Sequence, residues 1–402
     1  MRFCMVTTFY PPYHFGGCAT YVRALSRALV AQGHEVEVMH CIDAYRLKYR
    51  DSMPDEAPDE GIVVHRLKSP LGFLSPLITQ QTGHPGLKSR AQRALFARSF
   101  DVVNFHNISL IGGPAIVGWS RAPVTLYTLH EHWLLCPTHI FWKNKSYPCD
   151  RPTCFTCSLA SGIPPQLWRY TPLIRRSVAH ADALIAPSEY TARRHREAGL
   201  EPPVQVLPLF SAIDGPSGNP RPHRDRPRFL YVGRLIAPKG VTALLEEFAS
   251  LPDYDLVVIG EGELRSELEQ RFANYPNISF LGRIPQAELV PAYRDATALI
   301  FPSLVPETFG LCIVEAFACG TPVIVRDAGG CRESVDATGA GLVYRTSQEL
   351  RVAVARLAKE PGLRESLARR AREGFLRLYT PQRHVEGYLA CVESIRAAKR
   401  LH

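Results

Sequence analysis

The chain writes one α/β pattern twice. Arg2 to Thr8 reads as a buried strand, Phe9 to Gly17 as a Pro- and Gly-rich loop, and Cys18 to Gln32 as a helix ended by Gly33. Tyr21, Val22, Leu25, Ala28 and Leu29 recur at helical spacing on its inner face, and Glu35 to Cys41 is a second strand. The pattern restarts at Arg228: strand to Gly233, helix from Val241 to Leu251, strand from Asp255 to Ile259 and a Gly260-Glu261-Gly262 turn. Two β-loop-α-β starts predict two doubly wound parallel sheets, each with its ligands at the C-terminal ends of its strands. A chain of 402 residues has room for both. Residues 210–227, FSAIDGPSGNPRPHRDRP, dense in Pro, Gly and charge, read as the connection. The expected division is 1–208, a linker at 209–227, a second domain at 228–379 and a last helix at 380–402. The duplication is architectural, without convincing sequence repetition.

Asp101 to His106, Val124 to His130, Ala181 to Ser188 and Val204 to Pro208 supply further strands of the first half. In the second half, strands are expected at Ala296 to Phe301 and Gly341 to Tyr344, and helices at Ser347 to Lys359, Gly362 to Tyr379 and Pro381 to about Ala398. Asp43 to Pro58 is polar and reads as a loop, and Leu71 to Gly86, rich in Pro and Gly, is expected on the acceptor side of any site.

The chemistry concentrates in FPSLVPETFGLCIVEAFACGTPVIVRDAGG, from Phe301 to Gly330. A strand stops at Pro302, and helical spacing begins near Phe309, which places Gly310 and Leu311 in a first helical turn. Backbone N–H groups there lack intrahelical partners and attract phosphate or other electron-rich oxygen. Glu307 lies just before the helix, positioned to accept from sugar hydroxyls. Glu315, two turns in and flanked by apolar residues, is positioned to accept from a ribose diol. Upstream, GRLIAPKG brings Arg234 and Lys239 to bracket a diphosphate. Asp253-Tyr254-Asp255 has the form of a metal-binding DxD motif, but it sits at the start of a strand, the wrong edge of the sheet for a ligand.

With PETFG before the second glutamate and EAFACGTPVI after it, this stretch resembles the E-x7-E signature of the retaining glycosyltransferases of family 4, the glycosyl transferases group 1. The resemblance implies the GT-B fold: two Rossmann-like domains facing across a cleft, with a C-terminal helix crossing back to the first. It matches Gly16-Gly17 to the family's PxxGG-type loop against the donor's phosphate and sugar, and Arg234 and Lys239 to its GRLxxxKG motif. His130, in TLHEHW, matches the strand-end histidine that faces the transferring sugar; Arg283, in FLGRIP, falls near the nucleotide base. The implied catalytic residues are His130 and Glu307. The implied donor-binding residues are Gly16, Gly17, Arg234, Lys239, Arg283, Phe309, Gly310, Leu311 and Glu315. The implied activity moves a sugar from a nucleotide-sugar to a hydroxyl of a sugar or lipid-linked acceptor, in bacterial polysaccharide or glycolipid assembly, with retention and without a required cofactor. The rivals are a nucleotide-sugar epimerase or a phosphorylase of the same fold, and a non-catalytic nucleotide-sugar-binding scaffold.

Cys136, Cys149, Cys154 and Cys157 cluster in the loop 136–157 that follows His130. Four thiolates predict a structural zinc, with an iron–sulfur cluster as the alternative and His132 or His139 as a substitute ligand. Disulfides or buried thiols are the plainer readings.

The net charge of +9 suits an anionic partner, and the dispersed basic residues, without a recognition motif, argue against nucleic acid. The N-terminus lacks a signal peptide's basic segment and long apolar core, so the expected location is cytoplasmic. Peripheral contact with the inner face of a membrane is expected through the basic helix EYTARRHREAG, whose Arg193, Arg194 and Arg196 are otherwise simply solvated.

Overall fold

The computed structural model describes residues 1–14, 16–47, 59–213, 215 and 226–401, with only the backbone at 287. It divides into two units, 1–140 with 151–209 and 381–402, and 141–150 with 210–380.

The first unit runs β1 (Arg2–Val6), α1 (Gly17–Ala31), β2 (Glu35–Cys41), α2 (Ile42–Arg46), β3 (Ile62–Leu67), α3 (Leu74–Thr82), α4 (Ser89–Phe96), β4 (Val102–Phe105) and β5 (Val124–Thr128). After the short hairpin β6 (Trp142–Lys143) and β7 (Tyr147–Pro148), which belongs to the second unit, it continues through α5 (Cys154–Ala160), α6 (Leu173–Val178), β8 (Ala183–Ala186), α7 (Glu189–Glu197) and β9 (Val204–Val206). Its seven strands lie in the order β3-β2-β1-β4-β5-β8-β9, all parallel. The central strands are unbroken apolar runs because both faces are covered: Phe3, Cys4, Met5 and Val6 of β1 are fully buried.

The second unit runs β10 (Arg228–Val232), α8 (Val241–Ala249), β11 (Asp255–Ile259), α9 (Arg265–Arg271), β12 (Ile278–Gly282), α10 (Val290–Asp295), β13 (Ala298–Phe301), α11 (Leu311–Ala318), β14 (Val323–Arg326), α12 (Cys331–Thr338), β15 (Gly341–Tyr344), α13 (Ser347–Lys359) and α14 (Pro361–Leu378). Its parallel sheet has the order β12-β11-β10-β13-β14-β15. In both sheets the first strand is central and the order reverses beside it, which makes the switch point where such folds bind ligands. The last helix, α15 (Pro381–Arg400), belongs to the first unit, where Lys399 Nζ donates to the Pro123 carbonyl (2.8 Å) and Asn104 Nδ2 donates to the Tyr388 hydroxyl (3.1 Å).

The Pro- and Gly-rich stretch 71–86 contains a helix, α3, because Pro76 sits in its first turn, where the missing N–H costs nothing. Of the expected loop 43–58, the start is the short helix α2, and 48–58 lie outside the described residues. Of the expected linker 209–227, residues 214 and 216–225 lie outside the described residues. Among the described residues no helix is long and apolar enough to cross a membrane.

Candidate functional site

In the second unit, two loops at the C-terminal ends of β10 and β13 lock together. Gly240 sits at φ +69°, and a Cβ there would come within 2.1 Å of the Pro302 carbonyl, so only glycine permits the approach. The Leu304 N–H donates to the Pro238 carbonyl (2.9 Å) across the same contact. A second turn braces the first: a Cβ at Gly260 would lie 1.8 Å from the Gly233 carbonyl, and Leu235 N–H donates to the Glu261 carbonyl (2.9 Å).

This docking brings Lys239 to Glu307. Lys239 Nζ donates to Glu307 Oε1 (2.5 Å), and Ser303 Oγ donates to the same oxygen (2.6 Å). Burial pushes the Glu307 carboxyl up, but the Lys239 ammonium, the Ser303 hydroxyl and the nearby Arg234 together hold it below the usual carboxylate range. It is ionised at neutral pH. The backbone of Glu307 is fixed by a parallel bridge to Gly329 and by Gly330 N–H donating to its carbonyl (2.8 Å), which gives the Gly329-Gly330 turn its purpose. Arg234 stands exposed beside this pair.

Gly310 (φ 124°, ψ 77°) precedes α11 without a side-chain cap, so Leu311 and Cys312 carry the first N–H groups of the helix at the positive end of its dipole. The ring of Phe309 is buried against Tyr379 (centroids 6.0 Å apart), so its backbone rather than its ring is open to a ligand. Glu315 is buried, with Gln286 Nε2 donating to Oε1 (2.5 Å) and the Tyr293 hydroxyl to Oε2 (2.7 Å). Burial raises its pKa despite those two bonds, which pull the other way. Arg283 stands exposed just past β12. Asp255 opens β11 and pairs with Arg226 (2.7 Å), at the edge away from all of these groups.

The first unit gathers a cluster of rings. His130, two residues beyond β5, meets His106 at the end of β4: His106 Nδ1 and His130 Nε2 are 2.9 Å apart, with the rings stacked at 30°. Tyr21 of α1 lies edge-on to His130 at 5.0 Å, and its hydroxyl meets His384 Nε2 of α15 at 2.7 Å. His384 Nδ1 lies 2.8 Å from the Pro208 carbonyl, so it carries the proton, and Nε2 of the neutral ring accepts from Tyr21. Burial, with His384 nearby, lowers the His130 pKa to about 3, and burial lowers that of His106 well below the ordinary value. His130 is therefore a neutral hydrogen-bonding ring. Gly16 (φ 82°) and Gly17 open α1, again without a side-chain cap.

The zinc expectation is not supported. Among the described residues no group of three or more His, Cys, Asp or Glu is arranged to hold a metal ion. Cys136 Sγ instead lies 3.2 Å from the Thr138 hydroxyl, the CxxC of Cys154 and Cys157 opens α5, and Cys157 Sγ lies 4.0 Å from the Ser161 hydroxyl. Cys136, Cys149, Cys154 and Cys157 are all unbridged. His139 Nδ1 is taken by Glu131 (2.9 Å).

Ser303, Gln286, Tyr293, His106 and His384 were not singled out from the sequence, and Tyr21 was read only as an inner-face residue of its helix. For His106 a signal existed, since it ends a strand just as His130 does. The others are joined to their partners by tertiary structure alone.

Comparison with known proteins defines the class. Residues 15–210 match the family described as Glycosyltransferase Family 4, and residues 218–374 match Glycosyl transferases group 1. The chain belongs to this glycosyltransferase family and has its GT-B fold. It is 26% identical to a glycogen synthase of Mycobacterium tuberculosis over 90% of this chain and 87% of that one. It superposes on a sucrose-phosphate synthase from Thermosynechococcus elongatus with a TM-score of 0.76 at 20% identity, covering 99% of both chains. It superposes on Anabaena HepE, solved in complex with UDP-glucose, with a TM-score of 0.66 at 17% identity, covering 98% of this chain and 100% of that one.

Proposed function

We propose that this glycosyltransferase takes its sugar from a nucleotide-sugar and delivers it to a hydroxyl with retention of anomeric configuration. The observation that carries the reading is the half-open carboxylate of Glu307. Lys239 and Ser303 both bind Oε1, which leaves Oε2 to accept from a sugar hydroxyl, ahead of the N-terminus of α11, which has no side-chain cap. Lys239 spends one of its three donors on Glu307 and keeps two for a diphosphate, with Arg234 as its second cation. Gly310 and Leu311 would hold the sugar through their backbone. Glu315 would take the ribose hydroxyls, since each of its oxygens has a lone pair beyond the bond it already accepts. Arg283 is assigned to the base, Gly16-Gly17 to the donor phosphate, and the neutral His130 to the transferring sugar as a hydrogen-bond partner.

In the assigned mechanism the C1–O bond to the diphosphate breaks and the acceptor oxygen bonds C1 on the same face. The departing phosphate oxygen takes the acceptor proton, and Arg234 and Lys239 stabilise the negative charge that develops on it. The expected setting is assembly of a polysaccharide or glycolipid at the cytoplasmic side of a membrane. HepE's complex with UDP-glucose supports the donor class. Thermal-shift profiling against nucleotide-sugars identifies the donor, because a bound donor stabilises the native state. Proton NMR of the product then reads the anomeric configuration. An inverted product refutes retention, and a free epimer without acceptor transfer assigns the epimerase chemistry instead.

A further inference from the structure

Helix α3 of the first unit is built inside out. Its buried face carries hydroxyls: Ser75 and Thr79 are inside with Pro76, and Thr79 Oγ1 accepts from the buried Lys88 Nζ (3.1 Å), which also donates to the Leu110 carbonyl (3.0 Å). Its apolar residues Leu74, Leu77 and Ile78, spaced at i, i+3 and i+4, face solvent. A helix burying its hydroxyls and exposing its leucines has the pattern expected of one that meets something apolar outside the fold.

The exposed face continues beyond the helix. Phe73 precedes it, and Leu87, 63% exposed, follows Gly86, where a Cβ would touch Ile78 Cγ2 at 3.5 Å. On the other side Trp168 Nε1 donates to the Gln80 carbonyl (2.8 Å), which seats the turn Leu167–Tyr170 against α3. That turn presents Leu167, 66% exposed, and Tyr170.

Charge selects the occupant. Neither residues 61–100 nor residues 151–181, the segments that build this face, contain an aspartate or glutamate. Lys68, Arg90, Arg175 and Arg176 are exposed on them. On α2, which packs against α3, the single acid Asp43 is buried and accepts from the Ser69 N–H (2.7 Å). An apolar stripe with aromatic residues, on segments that carry exposed cations and, among the described residues, no exposed acid, matches the interface of an anionic bilayer, where leucines enter the acyl boundary and cations meet the headgroups. The basic helix suggested by the sequence is less suited. On α7, Arg196 is paired with Glu189 (2.5 Å) and Arg193 with Glu197 (3.9 Å), so much of its charge is already balanced.

We propose that the face formed by α3, Leu87 and the Leu167–Tyr170 turn docks the protein on an anionic lipid bilayer. This surface is independent of the donor-binding assignment, so either can fail alone. The test is co-sedimentation of the full chain with vesicles of phosphatidylcholine containing about one quarter phosphatidylglycerol, compared with phosphatidylcholine alone. The chain is expected to bind the anionic vesicles, more weakly as salt rises. Leu74→Ser/Leu77→Ser/Ile78→Ser should lower partitioning at least roughly tenfold with the near-ultraviolet circular dichroism unchanged, and Arg193→Ala/Arg196→Ala should leave it intact. If the triple variant misfolds, Leu87→Ser/Leu167→Ser makes the same reading at two highly exposed positions. No binding at low salt, or binding that survives both apolar variants, overturns the proposal. So does a wild-type dimer that these variants dissociate while vesicles go unbound, because the face then belongs to a second copy of the chain.

Discussion

Five histidines of the first unit are held neutral: burial lowers His40 and His130 to about 3, His195 and His384 to about 4, and His106 well below its ordinary value. Arg66 beside His40 and Arg194 beside His195 push the same way. Unfolded, each ring titrates near about 6.5. Below that pH the unfolded chain binds protons that the folded chain refuses, so stability rises with pH across the window from the folded to the unfolded pKa. The contribution is complete above about pH 6.5 and is lost progressively as the pH falls, until the rings protonate in the folded state as well.

At pH 5 a ring with a folded pKa of about 3 has lost roughly 1.5 pH units of linkage, or about 2 kcal/mol. The rings are not additive, because His106 and His130 share a hydrogen bond. Even so, three or four such losses approach the whole stability of a typical domain, about 5 to 15 kcal/mol. Trp119, Trp133 and Trp168 lie in the first unit and Trp142 in the second, so fluorescence of a Trp142→Phe variant reports on the first unit. Its urea midpoint should fall by roughly 1 M for each ring's share between about pH 7.5 and pH 5, taking a slope near 2 kcal/mol/M. His195→Phe should flatten that dependence by about one share, since the His195 Nε2 is buried without a partner and only Nδ1 is bonded, to the Thr191 carbonyl. The described part of the second unit contains no histidine, and its unfolding should not follow the same curve. A midpoint independent of pH, or a slope unchanged by His195→Phe, refutes the reasoning. The same neutrality means that transfer should show no ionisation between about pH 6 and 7 attributable to His130.

Arg234→Ala or Lys239→Ala should each lower transfer and weaken nucleoside diphosphate binding by roughly ten- to a hundredfold, measured by calorimetry and initial rates; unchanged values in both remove their assignment. Glu307→Gln should depress transfer while sparing nucleoside diphosphate binding, whereas Glu315→Gln should weaken both, and the converse pattern exchanges the two carboxylates. Tyr293→Phe, which removes one bond to a buried carboxylate, should cost about 1.5–3 kcal/mol in the melting of the second unit. Gly240→Ala must place a Cβ against the Pro302 carbonyl at a positive φ, so it should destabilise that unit by about 2 kcal/mol or more and reduce transfer with it.

The sequence carried most of the sheet architecture because the central strands are apolar runs bounded by Gly and Pro, as in Glu35–Cys41 and Asp255–Ile259, whose limits agree with the observed strands. Strand β3 was not anticipated: at the edge of the sheet only its Ile62 is buried, while Val63 and Arg66 are exposed and the rest half-buried, so it has neither the apolar run of a central strand nor a clean alternation. The site was legible where function and local geometry coincide. Gly240 and Gly329 are needed at positive φ, and both lie within motifs that also carry Lys239 and Glu307. It was illegible where a polar group is held by a residue remote in sequence, as Glu315 is by Tyr293 or His130 by His106. The cysteines show a different case, a local density of ligand-type residues that, among the described residues, forms no group arranged to hold a metal ion.

Helix α3 shows what periodicity leaves open. Leu74, Leu77 and Ile78 mark one face at helical spacing, and on pattern alone that face would be assigned to the core. What reverses it is Lys88: its ammonium is buried and needs acceptors, and Thr79 and the Leu110 carbonyl supply them. Leaving a buried cation unpaired costs more than exposing a leucine, so the polar face goes inward and the apolar face outward. Lys88→Met should therefore remove the reason for the orientation. The helix would then be free to turn its leucines inward, and a fall in hydrogen-exchange protection across residues 74–82 would show that Lys88 holds this face to the solvent. Unchanged protection would mean that the packing of Ser75, Pro76 and Thr79 is sufficient by itself.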